Sequence, residues 1–352
     1  MTRHIVAIGP LPPPLHGYSL ATAGMMALLT EDNTTTVQNM SPPVGAGAFR
    51  RHATKLLRAI GACARLFRQR KHADKACYVG CEGGLGLVYT LQIVVFARLL
   101  AYPVYLHHHS FSYIETPRLL MRLVLVLGGN KLAHIFLCDM MRDRFIDTYD
   151  RRIRCKTVSN AAYVQPQSEN PPVERTDLVI GMLSNLSREK GLETFVALAR
   201  HARDEGHPLK AILAGPVRDP SNLAMINVAV ADLGGTLEYR GPLYDDAKSA
   251  FYRDIDVFIF PTTYSNEAQP MVLFEAKAAG NSVITHDRGC IRKQLDESDL
   301  LIPPNGEFVP TAFDWLSAMS AGSALRTRKM MIQRAYRVRH EKARESARLL
   351  LD

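Results

Sequence analysis

The stretch that decides the fold is "DVFIFPTTYSNEAQPMVLFEAKAAGNSVI", Asp256–Ile284. Val257–Phe260 is an unbroken apolar run, the mark of a strand buried on both faces. A polar loop follows. Pro270 then marks a helix start, because proline fixes φ where no helical N–H partner is needed. "NSVI" opens a second apolar strand. Strand, loop, helix and strand make a βαβ unit, and such units build parallel sheets. The N–H groups just after Pro270 would point unpaired into the loop region, a ready place for an anion. Two carboxylates flank it, eight residues apart: Glu267 in the loop and Glu275 inside the helix. Such a pair suits the hydroxyls of a sugar-bearing phosphate; two solvated glutamates are the plain alternative.

The same alternation extends in both directions. Upstream, "LVIGMLS", "LKAILAG" and "LEYRG" read as further strands with helices between them, giving a Rossmann-like domain over 178–325. Before it, "AAYVQPQSENPPVERT" is Pro-rich and aperiodic, which places a linker at 166–177. Residues 1–165 repeat the pattern with about six strands: "HIVAIGP", "TTTVQNM", "ACYVG", "PVYL", "AHIFLCD" and "CKTVSNA". The fold class is therefore α/β, with two doubly wound parallel-sheet domains expected to face a cleft. The tail 326–352 reads as a basic helix expected to pack back toward the first domain.

At 352 residues the chain accommodates two ordinary domains, and 47% apolar with 22% charged residues fits a soluble globular protein. The six cysteines form no CxxC pair and read as small buried thiols of a reduced compartment. The opening apolar run stops at "PLPPPLHG", and Leu85–Ala101 and Leu119–Leu127 are broken by Gln92, Arg98 and Arg122. Neither a leader nor a membrane span is expected, so the cytoplasm is the expected location. The net charge of +9 is uneven: Lys+Arg against Asp+Glu is 20 to 10 over residues 1–170, 14 to 21 over 171–325, and 9 to 3 over 326–352. A basic first half points to an anionic partner there. Within it, residues 48–71 carry eight Lys/Arg and no acid, with Ala53, Leu56, Leu57, Ile60, Ala64 and Phe67 at helical spacing. Two readings stay open: a crossover helix with a solvated basic back, or an amphipathic surface lying on anionic lipid. Nucleic acid is not expected, since no interleaved aromatics supply stacking.

Candidate chemistry lies in the loops after strands, where ligands sit in such sheets. Gly17, after the first strand, allows close backbone approach, but the turn is not GxGxxG and no NAD fingerprint is present. "CEGGLG" with Glu82 and "HHHSFSY" with His107–His109 follow later strands. Neighbours on an extended chain point to opposite faces, so a single histidine facing the ligand is favoured over a metal site. In the second half, Asn185 and Lys190 follow one strand, and Lys190 supplies a point charge for a phosphate. Tyr239–Leu243, including Arg240, follows another and suits a base edge.

Taken together, "SNLSREKGLETFVALA", "AILAGP", "YRGPLYDD", "FYRDIDVFIFPT" and "NEAQPMVLFEAKAAG" resemble the retaining GT-B glycosyltransferases of family 4, of the bacterial polysaccharide-assembly type. The Glu-x7-Glu signature of that family is Glu267 and Glu275 here. The resemblance implies that Glu267 holds donor-sugar hydroxyls and Glu275 the ribose. Lys190 would neutralise the diphosphate, the N–H groups of Met271, Val272 and Leu273 would bind the same diphosphate or the sugar, and Gly17 would give the phosphate a close backbone approach. His109, rather than His107, would contact the donor sugar, and Glu82 the acceptor. Two departures stand out. Where the family has Gly-Arg-Leu this chain has Ser184-Asn185-Leu186, losing one cation, and the usual Gly-Gly pair reads Arg288-Gly289-Cys290, so Arg288 is a candidate replacement. No Asp-x-Asp motif is read that would place a divalent ion on the diphosphate, so neither a metal nor any other cofactor is expected beside the nucleotide-sugar co-substrate. A lipid-linked glycan acceptor and a peripheral position on an anionic membrane surface complete the expectation. An epimerase or phosphorylase of the same fold, or a non-catalytic nucleotide-sugar-binding module, are the alternatives.

Overall fold

The structure, a computed structural model, describes residues 3–45, 47–150, 152–168, 177–319 and 323–351. Most of the expected linker falls outside them. The chain divides into two compact units: Met1–Tyr163 with Lys342–Asp352, and Val164–Glu341.

Unit 1 alternates strand and helix: β1 (His4–Gly9), α1 (Gly17–Asp32), β2 (Thr34–Asn39), α2 (Ala48–Arg68), β3 (Lys75–Cys81), α3 (Leu87–Leu99), β4 (Val104–His108), α4 (Leu119–Gly128), β5 (Leu132–Phe136), α5 (Asp139–Tyr149) and β6 (Arg154–Thr157). All six strands are parallel, in the order β2-β1-β3-β4-β5-β6. The order reverses between β1 and β3, which is where a doubly wound sheet opens a crevice at its strand C-termini. Cys63, Cys77, Cys81 and Cys155 are free thiols, Cys77 and Cys81 buried.

Unit 2 contains β7 (Leu178–Leu183), α6 (Leu192–Asp204), β8 (Leu209–Ala214), α7 (Pro220–Leu233), β9 (Leu237–Tyr239), α8 (Asp245–Asp254), β10 (Val257–Phe260), α9 (Met271–Ala278), β11 (Ser282–His286), β12 (Leu300–Ile302), α10 (Phe308–Ser317) and α11 (Ser323–Arg348), the last turns of α11 belonging to unit 1. Its strands are also parallel, ordered β12-β11-β10-β7-β8-β9, and the reversal lies between β7 and β10. The apolar run Val257–Phe260 shows why the strand needs cover on both sides. Val257 and Ile259 join the core under α6 and α10, while Phe258 and Phe260 join the one under α8 and α9. Pro270 caps α9 rather than opening it, so the helix starts one residue later than the sequence reading put it. β12 and α10 were not anticipated: three residues of strand are too few to carry a period.

Candidate donor site in unit 2 and a polar cluster in unit 1

Unit 2 gathers its chemistry at the β7/β10 switch point. After β7, Ser187 caps a single 3₁₀ turn by accepting from the Lys190 N–H, and the turn ends at Gly191 with φ +90°. A side chain at Gly191 would place its Cβ 2.4 Å from the Pro261 carbonyl oxygen, so only glycine lets this loop lie against the loop after β10. The Thr263 N–H donates to the Glu189 carbonyl at 2.8 Å and fastens the two loops. Lys190 Nζ thereby reaches Glu267 Oε2 at 2.5 Å and lies over the Tyr264 ring, 4.5 Å from its centroid. Thr262 Oγ1 donates to the same carboxylate oxygen at 3.3 Å. Glu267 is buried, so these two donors, rather than bulk solvent, satisfy its carboxylate.

The loop after β11 closes over Glu267. Gly289 has φ +49°, and a Cβ there would lie 2.1 Å from the Glu267 carbonyl oxygen; the Cys290 N–H donates to Ala268 O at 2.7 Å. Arg288 therefore emerges beside the Glu267 loop, with its Nε buried and no partner among the described residues. Glu275, one turn inside α9, accepts from Lys248 Nζ at 2.5 Å and from Tyr252 Oη at 2.9 Å, both on α8. Burial and the Glu275 charge hold the Tyr252 hydroxyl well above the usual phenol range. At the head of α9 no side chain caps the first N–H groups; that of Leu273 bonds the Pro270 carbonyl at 3.3 Å, leaving Met271 and Val272 as the forward-facing pair. Asn185 is exposed in the loop after β7. Arg240 is committed to Glu238 and to Asp254, the latter at 2.6 Å, so its guanidinium is already paired, and its N–H donates to the Leu213 carbonyl at 2.9 Å. Contrary to the sequence reading, Asp254 and Asp256 do spell an Asp-x-Asp, but it lies before β10 and not after a strand. There Asp256 accepts from the Val179 N–H at 3.0 Å and pairs with Lys329 at 2.9 Å. Among the described residues no group of three or more His, Cys, Asp or Glu is arranged to hold a metal ion.

In unit 1 the expected residues converge on the β1/β3 switch point. Gly17 is the first residue of α1, which His16 and Ser19 cap reciprocally. A Cβ at Gly17 would meet open space, so nothing within the unit demands glycine there. Glu82 is buried after β3 and paired with Lys55 from α2. The three histidines divide as the pleat requires. His108 bonds Tyr113 Oη at 3.0 Å and His134 Nδ1 at 2.9 Å, while His107 and His109 lie together, ring centroids 4.1 Å apart. His107 Nδ1 bonds Tyr78 Oη at 2.8 Å. His109 packs on Tyr18, ring centroids 4.6 Å apart, and neither His109 Nε2 nor Tyr18 Oη has a partner among the described residues. Burial lowers the His109 pKa to about 3, so its imidazole is neutral and can both donate and accept. Tyr18, Thr262, Lys248 and Tyr252 were missed by the sequence reading. Tyr18 directly follows Gly17, but the other three contact their carboxylates only through the fold. Two surface depressions, about 500 Å3 beside α1 and β2 and about 370 Å3 between α6 and α7, lie away from these side chains.

Residues 165–338 match the family model described as glycosyl transferases group 1. Unit 2 is thus similar to that family over nearly its whole length. The chain is accordingly a glycosyltransferase, and its two parallel sheets are those of the GT-B fold. It superimposes on HepE of Anabaena, solved with UDP and glucose, at a TM-score of 0.69 and 15% identity over 97% of each chain. The structure of trehalose-6-phosphate from E. coli bound with UDP-2-fluoro glucose gives 0.69 and 12%, again over 97% of each. Sucrose-phosphate synthase of Thermosynechococcus elongatus gives 0.67 and 13%, over 97% of this chain and 98% of that one. No curated protein matches the sequence.

Proposed function

We propose that this glycosyltransferase is a retaining, family 4 enzyme. It moves a sugar from a nucleoside-diphosphate donor to a hydroxyl of a lipid-linked glycan in surface-polysaccharide assembly. The observation that carries the reading is the Lys190–Glu267 pair at the β7/β10 switch point, flanked by the open head of α9. Lys190 and the Met271 and Val272 N–H groups take the diphosphate charge as the bond from sugar C1 to phosphate breaks, the preorganised electrostatics that dominate such steps. Glu267 holds the sugar hydroxyls and Glu275 the ribose hydroxyls. The acceptor oxygen bonds to C1 on the departing face, and its proton passes to the leaving phosphate. In unit 1, His109 and Tyr18 offer unpaired groups for sugar hydroxyls, and Glu82 is the acceptor-side contact. UDP is the first nucleotide to test, because two of the matched structures hold it.

Arg288 is assigned the charge that Asn185 lacks. If Lys190→Ala abolishes donor binding while Arg288→Ala leaves it unchanged, that assignment fails. Charge neutralisation is assigned to protein groups, so turnover is expected to persist in excess EDTA. The deciding experiment supplies UDP-sugars and a membrane lipid extract and reads the anomeric configuration of the product by NMR. An α-linked donor giving an α-linked product supports the proposal. Inversion, or nucleotide release with no sugar on lipid, overturns it.

A further inference from the structure

A helix that covers a sheet ordinarily turns its apolar stripe inward. α2 does the reverse. Its inner face consists of Ala59, Ala62 and Leu66 with cations reaching past them into the unit: Lys55 to Glu82, Arg58 to the Ser41 carbonyl, and Arg65 to Gln38 Oε1 at 2.9 Å. The stripe of large side chains, Phe49, Leu56, Leu57, Ile60 and Phe67, faces solvent, Phe49 at 88% and Leu57 at 69% exposure. The sheet has already been satisfied by small residues and hydrogen bonds, so this apolar surface serves nothing inside the unit.

The neighbours continue it. β2 to β3, β3 to β4 and β4 to β5 all step the same way across the sheet, and right-handed crossovers put α2, α3 and α4 on one face. α2 packs on α3 and α3 on α4. α4 presents Leu119, Leu123, Val126 and Leu127 outward, and Leu85 and Val88 stand exposed at the head of α3. Residues 33–138 hold thirteen Lys/Arg against three Asp/Glu, and each of the three acids is paired: Asp74 with Arg3, Glu82 with Lys55, Glu115 with Arg144. Arg50, Arg68, Arg118 and Arg122 are exposed around the apolar residues. No described helix is long and apolar enough to cross a bilayer.

We infer that the α2–α3–α4 face is a membrane-docking surface whose occupant is an anionic bilayer. Its apolar stripe lies at the level of the acyl boundary and its arginines at the headgroups. The charge selects this occupant: a face that is both apolar and uncompensated in positive charge complements an anionic interface, where each cation and each buried side chain contributes. The inference deepens the lipid-linked acceptor of the proposed function by naming the surface that brings the enzyme to it, but it stands on α2 and does not need the chemistry.

The full chain is sedimented with phosphatidylcholine vesicles and with vesicles containing phosphatidylglycerol, at low and high salt. Two variants are compared: Phe49→Ser/Leu57→Ser/Phe67→Ser, and Arg50→Gln/Arg68→Gln/Arg122→Gln. All six side chains are exposed, so both variants fold, as circular dichroism checks. Wild type is expected to pellet with the anionic vesicles. The serine variant loses this at every salt concentration, and the glutamine variant loses about fivefold per cation at low salt. Wild type that stays in the supernatant, or variants that pellet equally, overturn the inference. So does a wild-type dimer by light scattering that the serine variant abolishes, since the face would then belong to a second copy. Donor binding measured on the serine variant keeps the two proposals apart: intact donor binding with lost pelleting supports docking, and pelleting without any transfer refutes only the reaction.

Discussion

Replacing Lys190 by Met and Glu267 by Gln, singly and together, probes the contact on which the donor site rests. Two unit charges about 4 Å apart at an effective dielectric near 20 attract by about 4 kcal/mol before desolvation is charged against them. The Glu267 side chain is 10% exposed and that of Lys190 22%. The pair thus lies between the buried case, where orphaning one partner costs about 3–5 kcal/mol, and the exposed case of about 0–1. Allowing for the solvent that reaches Lys190, each single variant is expected to cost about 2 kcal/mol, and the double about 2–3, because it leaves no orphaned charge. The assay is available in the chain itself. Trp315, its single tryptophan, packs against the core of unit 2, so its fluorescence in urea follows that unit. With an m-value of about 2 kcal/mol/M, each single shifts the midpoint by about 1 M. Function separates the partners further. Glu267→Gln leaves Lys190 unneutralised, so nucleoside diphosphate binds at least as tightly while sugar transfer falls roughly a hundred- to thousandfold. Lys190→Met loses the diphosphate itself. Single costs that simply add would show that the two charges do not interact, and diphosphate affinity untouched by Lys190→Met would remove Lys190 from the donor site.

Two other outcomes follow from the structure. Gly191→Ala forces a Cβ against the Pro261 carbonyl at φ +90° and should cost about 2–4 kcal/mol by Trp315 fluorescence, with weakened diphosphate binding; Gly206→Ala, at φ +66° but in open space, should cost only about 1. Unit 1 should weaken in acid. Burial depresses the pKa of His107 and His108, and that of His109 to about 3, while unfolded histidine titrates near 6.5, so below about pH 6.5 the unfolded state binds more protons. Stability is whole above that pH and falls as the pH drops below it, by about 1 kcal/mol per unit for His109 down toward pH 3, with His107 and His108 adding in the same direction. Urea melts followed by circular dichroism at pH 7.5 and 5.5 check this; a midpoint that rises in acid, or a slope unchanged in His109→Gln, contradicts it.

How far the sequence could be read varies from residue to residue. Val257–Phe260, Pro270 and the two glutamates were legible because a doubly covered strand needs an unbroken apolar run and proline punctuates the chain. Lys190 was legible as a loop cation after a strand. Its distance to Glu267 was not, since that depends on Gly191 fitting under Pro261. Lys248 and Tyr252 were invisible because they meet Glu275 only when α8 and α9 pack together. α2 is the most instructive case. Periodicity identified its stripe correctly, but a period does not say which side of the helix faces the sheet. That side was settled by Ala59, Ala62 and the inward hydrogen bonds of Lys55, Arg58 and Arg65. β12 escaped because Leu300–Ile302 is shorter than any pattern.

The central claim, that the loops after β7, β10 and β11 of unit 2 hold a nucleoside-diphosphate sugar through Lys190, Glu267 and Glu275, is tested most directly by calorimetric titration. UDP, GDP and ADP are titrated into wild type and Glu275→Ala. One nucleotide is expected to bind with one-to-one stoichiometry, and Glu275→Ala to weaken it about tenfold or more, the loss of charged hydrogen bonds worth about 1.5–3 kcal/mol. Millimolar nucleotide with no heat from any of the three, or binding that Glu275→Ala leaves unchanged, would contradict it.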